Sequence, residues 1–231
     1  MKKNVIGILG GMGPAATADM FQKFIKLTPA HCDQEHIPLL ISSIPDIPDR
    51  TNCILHGGEN PEPIMEKYVK NLAVAGATCV VIACNTAHYW FDDLKANTNI
   101  NMLSMIDTTI DEVIRRGKQK IGLLATDATL AAGLYKKRIE NKGLIFISPT
   151  ESGQKDVMES IYLLKSGEYE HSTQLMLKQR DELIAQGAEL IILGCTEVPI
   201  ILADDMENNP NLYVDSTLTL VRSAIDWYQT H

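Results

Sequence analysis

Short, mostly unbroken runs of apolar residues recur along the chain at 4–9, 38–44, 78–83, 102–105, 120–125, 144–147, 189–194 and 212–214. Each is a few residues long, the signature of a strand buried on both faces of a parallel sheet. Longer stretches with helical spacing lie between most of them, at 14–27, 62–75, 107–116, 129–141, 153–165, 169–187 and 216–229. This alternation predicts an α/β fold with mostly parallel sheets and helices on both faces. No Ser/Gly-rich linker divides the chain.

The pattern also repeats. At an offset of 111 residues, Gly76-Ala77 matches Gly187-Ala188, the apolar triplet 80–82 matches 191–193, and Cys84 falls on Cys195. At an offset of 115, Ile6-Gly7-Ile8-Leu9-Gly10-Gly11 parallels Ile121-Gly122-Leu123-Leu124-Ala125-Thr126. Two pseudo-symmetric three-layer α/β/α domains are therefore expected. Residues 1–104 plus 209–231 form the half carrying Cys84, and residues 105–208 form the half carrying Cys195. The strand and helix from about residue 210 are expected to return and complete the first half. Ligands of open α/β sheets bind beyond the carboxyl ends of the strands, so one ligand is expected in the cleft between the halves.

Composition narrows the partners. The 231 residues are 45% hydrophobic and 22% charged, an ordinary globular balance long enough for a sizeable core. A net charge of −8 with no basic stripe argues against nucleic acid and anionic membranes as partners. It does not exclude a small acidic substrate, which responds to the field of its pocket. Five cysteines without disulfide-framework spacing imply a reducing compartment. Met1-Lys2-Lys3 runs straight into a strand, and no apolar run approaches the ~20 residues needed to span a bilayer. The expectation is a soluble, cytoplasmic protein.

Cys84 in VVIACNTAH and Cys195 in LIILGCTEV each end a strand and precede a helix start. A free cysteine is often only a small buried hydrophobe, which suits Cys79 on its strand and Cys32 and Cys53 in polar loops. Thiols at helix N-termini acquire lowered pKa values, and the flanking Asn85, Thr86 and Thr196 offer donors and acceptors for a carboxylate or ammonium. A disulfide between Cys84 and Cys195 is disfavoured, because facing domain edges should hold their Cα atoms beyond the ~7 Å bridging limit. Two equivalent thiols suit proton exchange at a stereocentre, which needs one base on each face of the carbon. A hydrolase or transferase needs a single nucleophile and a different base. No CxxC or HExxH occurs, so no metal is expected.

Other motifs are weaker. Gly11-x-Gly13-x-x-Ala16 formally satisfies a dinucleotide fingerprint, but Asp33, at the distance of the required acid, precedes the second strand. The same turn reads as a tight strand-to-helix connection, or as bare backbone N–H groups for any small anion. Arg50 in Asp46-Ile47-Pro48-Asp49-Arg50 could grip a carboxylate bidentately or simply pair with Asp49. Lys165 could do no more than complement its helix dipole. The cluster from His31 to His36 lies in one polar loop without ordered ligand spacing, and His88 sits four residues past Cys84. Tyr89-Trp90-Phe91 reads as packing against the sheet or a partner chain.

These residues resemble the aspartate/glutamate racemase family of cofactor-independent enzymes, and most closely its bacterial L-aspartate/glutamate-specific branch. The resemblance covers essentially the whole chain, through GGMGPAAT (10–17), SSIPDIPDRT (42–51), ACNTAHYWFDDL (83–94), LLAT (123–126), YLLKSG (162–167), GCTEVP (194–199) and DST (215–217). It implies that Cys84 and Cys195 are the two proton donor/acceptors, with Cys195 serving the L-enantiomer. Arg50 and Lys165 match the residues that hold the substrate's side-chain carboxylate. Met12, Gly13, Asn85, Thr86, Ala87, Thr126, Thr196 and Glu197 match positions lining the pocket. A homodimer without cofactor is also implied. One departure concerns the sister glutamate racemases, which carry a His after the second Cys-Thr where this chain has Glu197. An anion there should raise the pKa of Cys195 and leaves open what activates the thiol. The rival functions are a maleate isomerase-like enzyme, a one-thiol decarboxylase, a non-catalytic amino-acid sensor and a nucleotide-binding domain.

Overall fold

Each apolar run forms a parallel strand in the computed structural model, which describes residues 4–231. The first part of the chain runs β1 (Ile6–Gly10), α1 (Pro14–Leu27), β2 (Leu39–Ser43), α2 (Arg50–His56), α3 (Glu62–Val74), β3 (Cys79–Ile82), α4 (Phe91–Ala96), β4 (Asn101–Leu103) and α5 (Met105–Arg116). It continues through β5 (Lys120–Leu124), α6 (Asp127–Ala131), α7 (Lys136–Asn141), β6 (Ile145–Ile147), α8 (Glu151–Ser166) and α9 (Tyr169–Ala185). The last elements are β7 (Leu190–Leu193), α10 (Val198–Ile201), α11 (Ala203–Asn208), β8 (Tyr213–Asp215) and α12 (Ser216–Thr230).

The strands form two four-stranded parallel sheets, in the orders β2-β1-β3-β4 and β6-β5-β7-β8. The orders are identical once β5 is set on β1. Register agrees as well: Ile6 faces Cys79 and Ile121 faces Leu190, so the central pairs align at the offsets read from the sequence. Gly7 and Gly122 show the duplication at atomic scale. A Cβ on Gly7 would meet Ala77, Val80 and Leu72 within 3.0–3.4 Å, and on Gly122 the counterparts Ala188, Ile191 and Leu183 within 3.2–3.3 Å. A strand and its crossover helix approach too closely there for a larger residue.

Two compact units result, one ending at Thr108 and resuming at Thr217, the other spanning Thr109–Ser216. In the first, Met20 and Phe24 of α1 and Leu220, Val221, Ala224 and Ile225 of α12 share a core with Ile6, Ile8 and Val81. Met65, Val69 and Leu72 of α3 and Leu94 of α4 share another with Leu9, Val80 and Ile82. The central strands β1 and β3 are buried throughout, which explains their lack of polar alternation. At ~1.5–3 kcal/mol per fully buried large apolar side chain, these layers dominate the stability of the unit. In the second unit, Val157, Ile161 and Leu164 of α8 and Met176 and Leu183 of α9 cover Leu124, Ile191 and Leu193.

Two details differ from the expectation. Tyr213–Asp215 does not complete the first half. It pairs with β7, Ile191 opposite Tyr213, and supplies the fourth strand that β4 supplies to the first sheet. Only α12 joins the first unit, so a cut at 209 would strip the second sheet of an edge. The single helix expected at 129–141 is two, α6 and α7, separated by a turn in which Gly133 donates to Leu130.

Candidate functional site

The first candidate half-site is built at the carboxyl edge of β1 and β3. Ala83 N–H bonds to Leu9 O at 2.9 Å and carries the ladder one residue past β3, so the next residue, Cys84, leaves the sheet at its edge. Asn85, Thr86 and Ala87 then turn into a 3-10 helix over Thr86–Trp90, all three buried. His88 Nε2 accepts from Met105 N–H at 2.9 Å, so the ring proton lies on Nδ1, 2.8 Å from the Cys84 carbonyl. His88 thus ties the cysteine backbone to the start of α5, with Phe91 stacked on its ring at 5.2 Å. Trp90 and Phe91 pack in the core beside Cys84.

The glycine-rich turn closes the same edge. Thr17 Oγ1 accepts from Gly11 N–H at 2.9 Å and donates to Gly13 O at 3.0 Å. Gly13 caps α1 without a side chain, and Met12 is buried in the cluster containing Cys84. The dinucleotide fingerprint stays incomplete, because β2 ends at Ser43 and Asp33 lies in a 3-10 turn before it. Arg50 does not pair with Asp49. Asp49 instead caps α2 by accepting from Asn52 N–H at 2.6 Å. The Arg50 guanidinium turns back onto main-chain oxygens, with Nη1 donating to Ile47 O at 3.1 Å and Pro48 O at 3.0 Å and Nη2 to Met12 O at 3.4 Å. Its Nε is buried without a hydrogen-bond partner among the described residues. Cys53 also moves from its expected loop onto α2, where it packs against this core. An Asp at the N-cap and Gly57 just past the last turn were the available signals for that short helix.

The second half-site repeats the construction. Gly194 N–H bonds to Leu124 O at 2.8 Å, the counterpart of the Ala83–Leu9 bond, and delivers Cys195 to the edge of β7. Thr126 occupies the place of Gly11 and caps α6, its Oγ1 accepting from Thr129 N–H at 3.2 Å. The Cys195 thiol donates to Glu197 Oε2 at 3.0 Å, and Thr196 Oγ1 donates to the same oxygen at 3.2 Å. Lys165, in the last turn of α8, lies with Nζ 3.6 Å from Glu197 Oε1. Lys165 is therefore not merely a dipole complement. Burial, and after it the Glu197 carboxylate, push the Cys195 thiol well above its ordinary range, while Lys165 pulls the other way.

Within one unit the structure gathers Met12, Gly13, Arg50 and Cys84 with Asn85, Thr86 and Ala87. Within the other it gathers Lys165, Cys195, Thr196 and Glu197, with Thr126 on the neighbouring strand end. The other cysteines differ in kind. Burial on β3 pushes Cys79 up to about 12, which leaves it inert. All five are free thiols. Among the described residues, no group of His, Cys, Asp and Glu could hold a metal ion, and no helix is long and apolar enough to cross a membrane.

Residues 9–224 match the family described as Asp/Glu/hydantoin racemase. The chain is 28% identical over 228 residues to the broad-specificity amino-acid racemase of Bacillus subtilis, covering 97% of this chain and 98% of that one. The solved aspartate racemase of Picrophilus torridus superposes with a TM-score of 0.88 at 28% identity, covering 98% of this chain and 94% of that one. An aspartate racemase homologue from Pyrococcus horikoshii gives 0.76 at 29%, covering 99% and 100%.

Proposed function

The chain belongs to the Asp/Glu/hydantoin racemase family and is an isomerase acting on amino acids, and from that premise we propose that it interconverts L- and D-aspartate, and glutamate, by passing the α-proton between Cys84 and Cys195 without PLP. The observation that carries this reading is the equivalence of the two thiols. Each follows the residue whose N–H closes the same ladder position, Ala83 to Leu9 in one sheet and Gly194 to Leu124 in the other. In this mechanism one sulfur, as thiolate, removes the α-proton, and the other, as thiol, returns a proton to the opposite face. The roles exchange in the reverse direction.

An α-proton is far less acidic than a thiol, so hydrogen bonds and charges must already be in place where the carbanion forms. Asn85, Thr86 and Thr196 are the side chains proposed to hold the α-carboxylate and α-ammonium. Arg50 and Lys165 are proposed to take the side-chain carboxylate. The unpartnered Nε of Arg50 supports this role, since a buried donor left unpaired is unfavourable until a ligand meets it. Arg50→Ala should raise KM for aspartate by roughly 10- to 100-fold, the range for a lost charge-assisted hydrogen bond. Initial-rate kinetics check it, and an unchanged KM removes Arg50 from substrate binding. We read the working form as a cytoplasmic homodimer.

The Bacillus subtilis relative is named for broad specificity, so the side-chain preference needs direct measurement. Proton NMR in D₂O across a panel of amino acids should show loss of the α-proton signal fastest for aspartate or glutamate. Loss confined to neutral or basic amino acids would overturn the acidic-substrate assignment, and no loss with any of them would overturn the racemase chemistry.

A further inference from the structure

Cys84 and Cys195 occupy equivalent positions but have unequal surroundings. Cys84 lies in an apolar cluster with Met12, Ile47 and Ala87. Cys195 faces a carboxylate that is itself buried, 3.0 Å from its sulfur. That carboxylate is held from two further directions, by Thr196 Oγ1 at 3.2 Å and by Lys165 Nζ at 3.6 Å. Only a protonated sulfur can donate to a carboxylate, because a thiolate in the same place would set two anions in contact.

We infer that Glu197 fixes Cys195 as the protonated member of the thiol pair in the resting enzyme, so that Cys195 enters turnover as the proton donor. Glu197 acts through the sulfur and is a positioning residue. The inference rests on the racemase reading. In the favoured direction Cys84 is the base: once it has given its own proton to solvent it takes the α-proton and becomes a thiol again. The Cys195 S–H bond then breaks, and its proton forms the new C–H bond on the other face. Cys195 is left as a thiolate beside Glu197 until it regains a proton from solvent and Cys84 loses one, which restores the starting form with no net change.

This asymmetry has a kinetic consequence. Enantiomers at equilibrium are equally stable, so kcat/KM must be the same in both directions. The enantiomer that needs Cys195 as thiolate meets a scarce form of the enzyme, and its KM rises by the reciprocal of that fraction. Its kcat must be higher by the same factor.

The charged groups acting on Cys195 within its unit are Glu197 and Lys165, and they should act with opposite signs. Each cysteine of the full-length enzyme is alkylated with iodoacetamide and the rate at each is read by mass spectrometry. Glu197→Gln should speed modification of Cys195 at least about tenfold, the effect of one pKa unit, and leave Cys84 within about twofold. Lys165→Met should slow Cys195. Lys165 is 42% exposed, so that variant reports the charge effect even where the buried Glu197 substitution does not fold. In Glu197→Gln the KM ratio between enantiomers should also move toward one. An unchanged or slower Cys195 rate in folded Glu197→Gln, a Cys195 rate that does not fall in Lys165→Met, or an unmoved KM ratio would each overturn the inference. If the alkylation pattern appears but no amino acid is racemised, the racemase reading is what fails, and the turnover role of Glu197 goes with it.

Discussion

Serine in place of either Cys84 or Cys195 should reduce racemisation by roughly 10³-fold or more, within or beyond the range for loss of a single general acid or base. The reason is acidity. A hydroxyl is far harder to ionise than a thiol, so serine cannot act as the anionic base, and as an acid it is too weak to protonate the carbanion quickly. Because the proposed mechanism uses one group on each face, either replacement should stop inversion in both directions. The half-reaction need not stop: with Cys84→Ser, the enantiomer whose α-hydrogen meets Cys195 can still exchange it with D₂O while keeping its configuration. Polarimetry reads inversion and NMR reads exchange on the same samples. Wild-type inversion by both single variants would end the two-base mechanism, whatever their folds look like.

Gly11→Ala should cost about 3 kcal/mol or more of stability. Gly11 has φ +91, and a Cβ there would fall 2.2 Å from Ile44 N and 2.4 Å from Ile44 C, both main-chain atoms. Left-handed backbone costs a non-glycine residue about 1–2 kcal/mol, and a clash with main chain adds to that because no rotamer relieves it. Gly76→Ala separates the two contributions. Gly76 also has positive φ, +110, but nothing lies within 4 Å of an added Cβ, so only the conformational cost should appear. Urea midpoints of the two variants give the comparison, and equal losses would refute the steric part. A shifted Gly11 would also displace Met12, whose carbonyl receives Arg50, so activity should fall further than the folded fraction does.

The strand set, the duplication and the two thiols were legible because each is a local or strictly periodic property. A buried parallel strand is written as one apolar run, and equivalent sheet positions survive as a constant offset between similar residues. The short helices were harder to see. α2, α4, α10 and α11 have four to seven residues each, too few for a hydrophobic face to show a period, and their signals lay in single residues such as Asp49 and Gly57. The partnership of β8 was invisible for a related reason. Three buried residues, Tyr213–Asp215, read as a strand, but which sheet receives them is decided by the edge left open beside β7.

By itself the sequence determined the α/β alternation, the repeat that places one cysteine past an equivalent strand in each half, and the residue types surrounding those cysteines. The tertiary structure alone decided where the side chains point. It turned Arg50 from Asp49 onto the Ile47, Pro48 and Met12 carbonyls, assigned His88 to bridge Cys84 and Met105, and set Glu197 against the Cys195 sulfur with Lys165 behind it. Period and composition encode which residues leave water. Contacts between residues distant in the chain depend on how the helices pack on the sheets, and no local pattern records that.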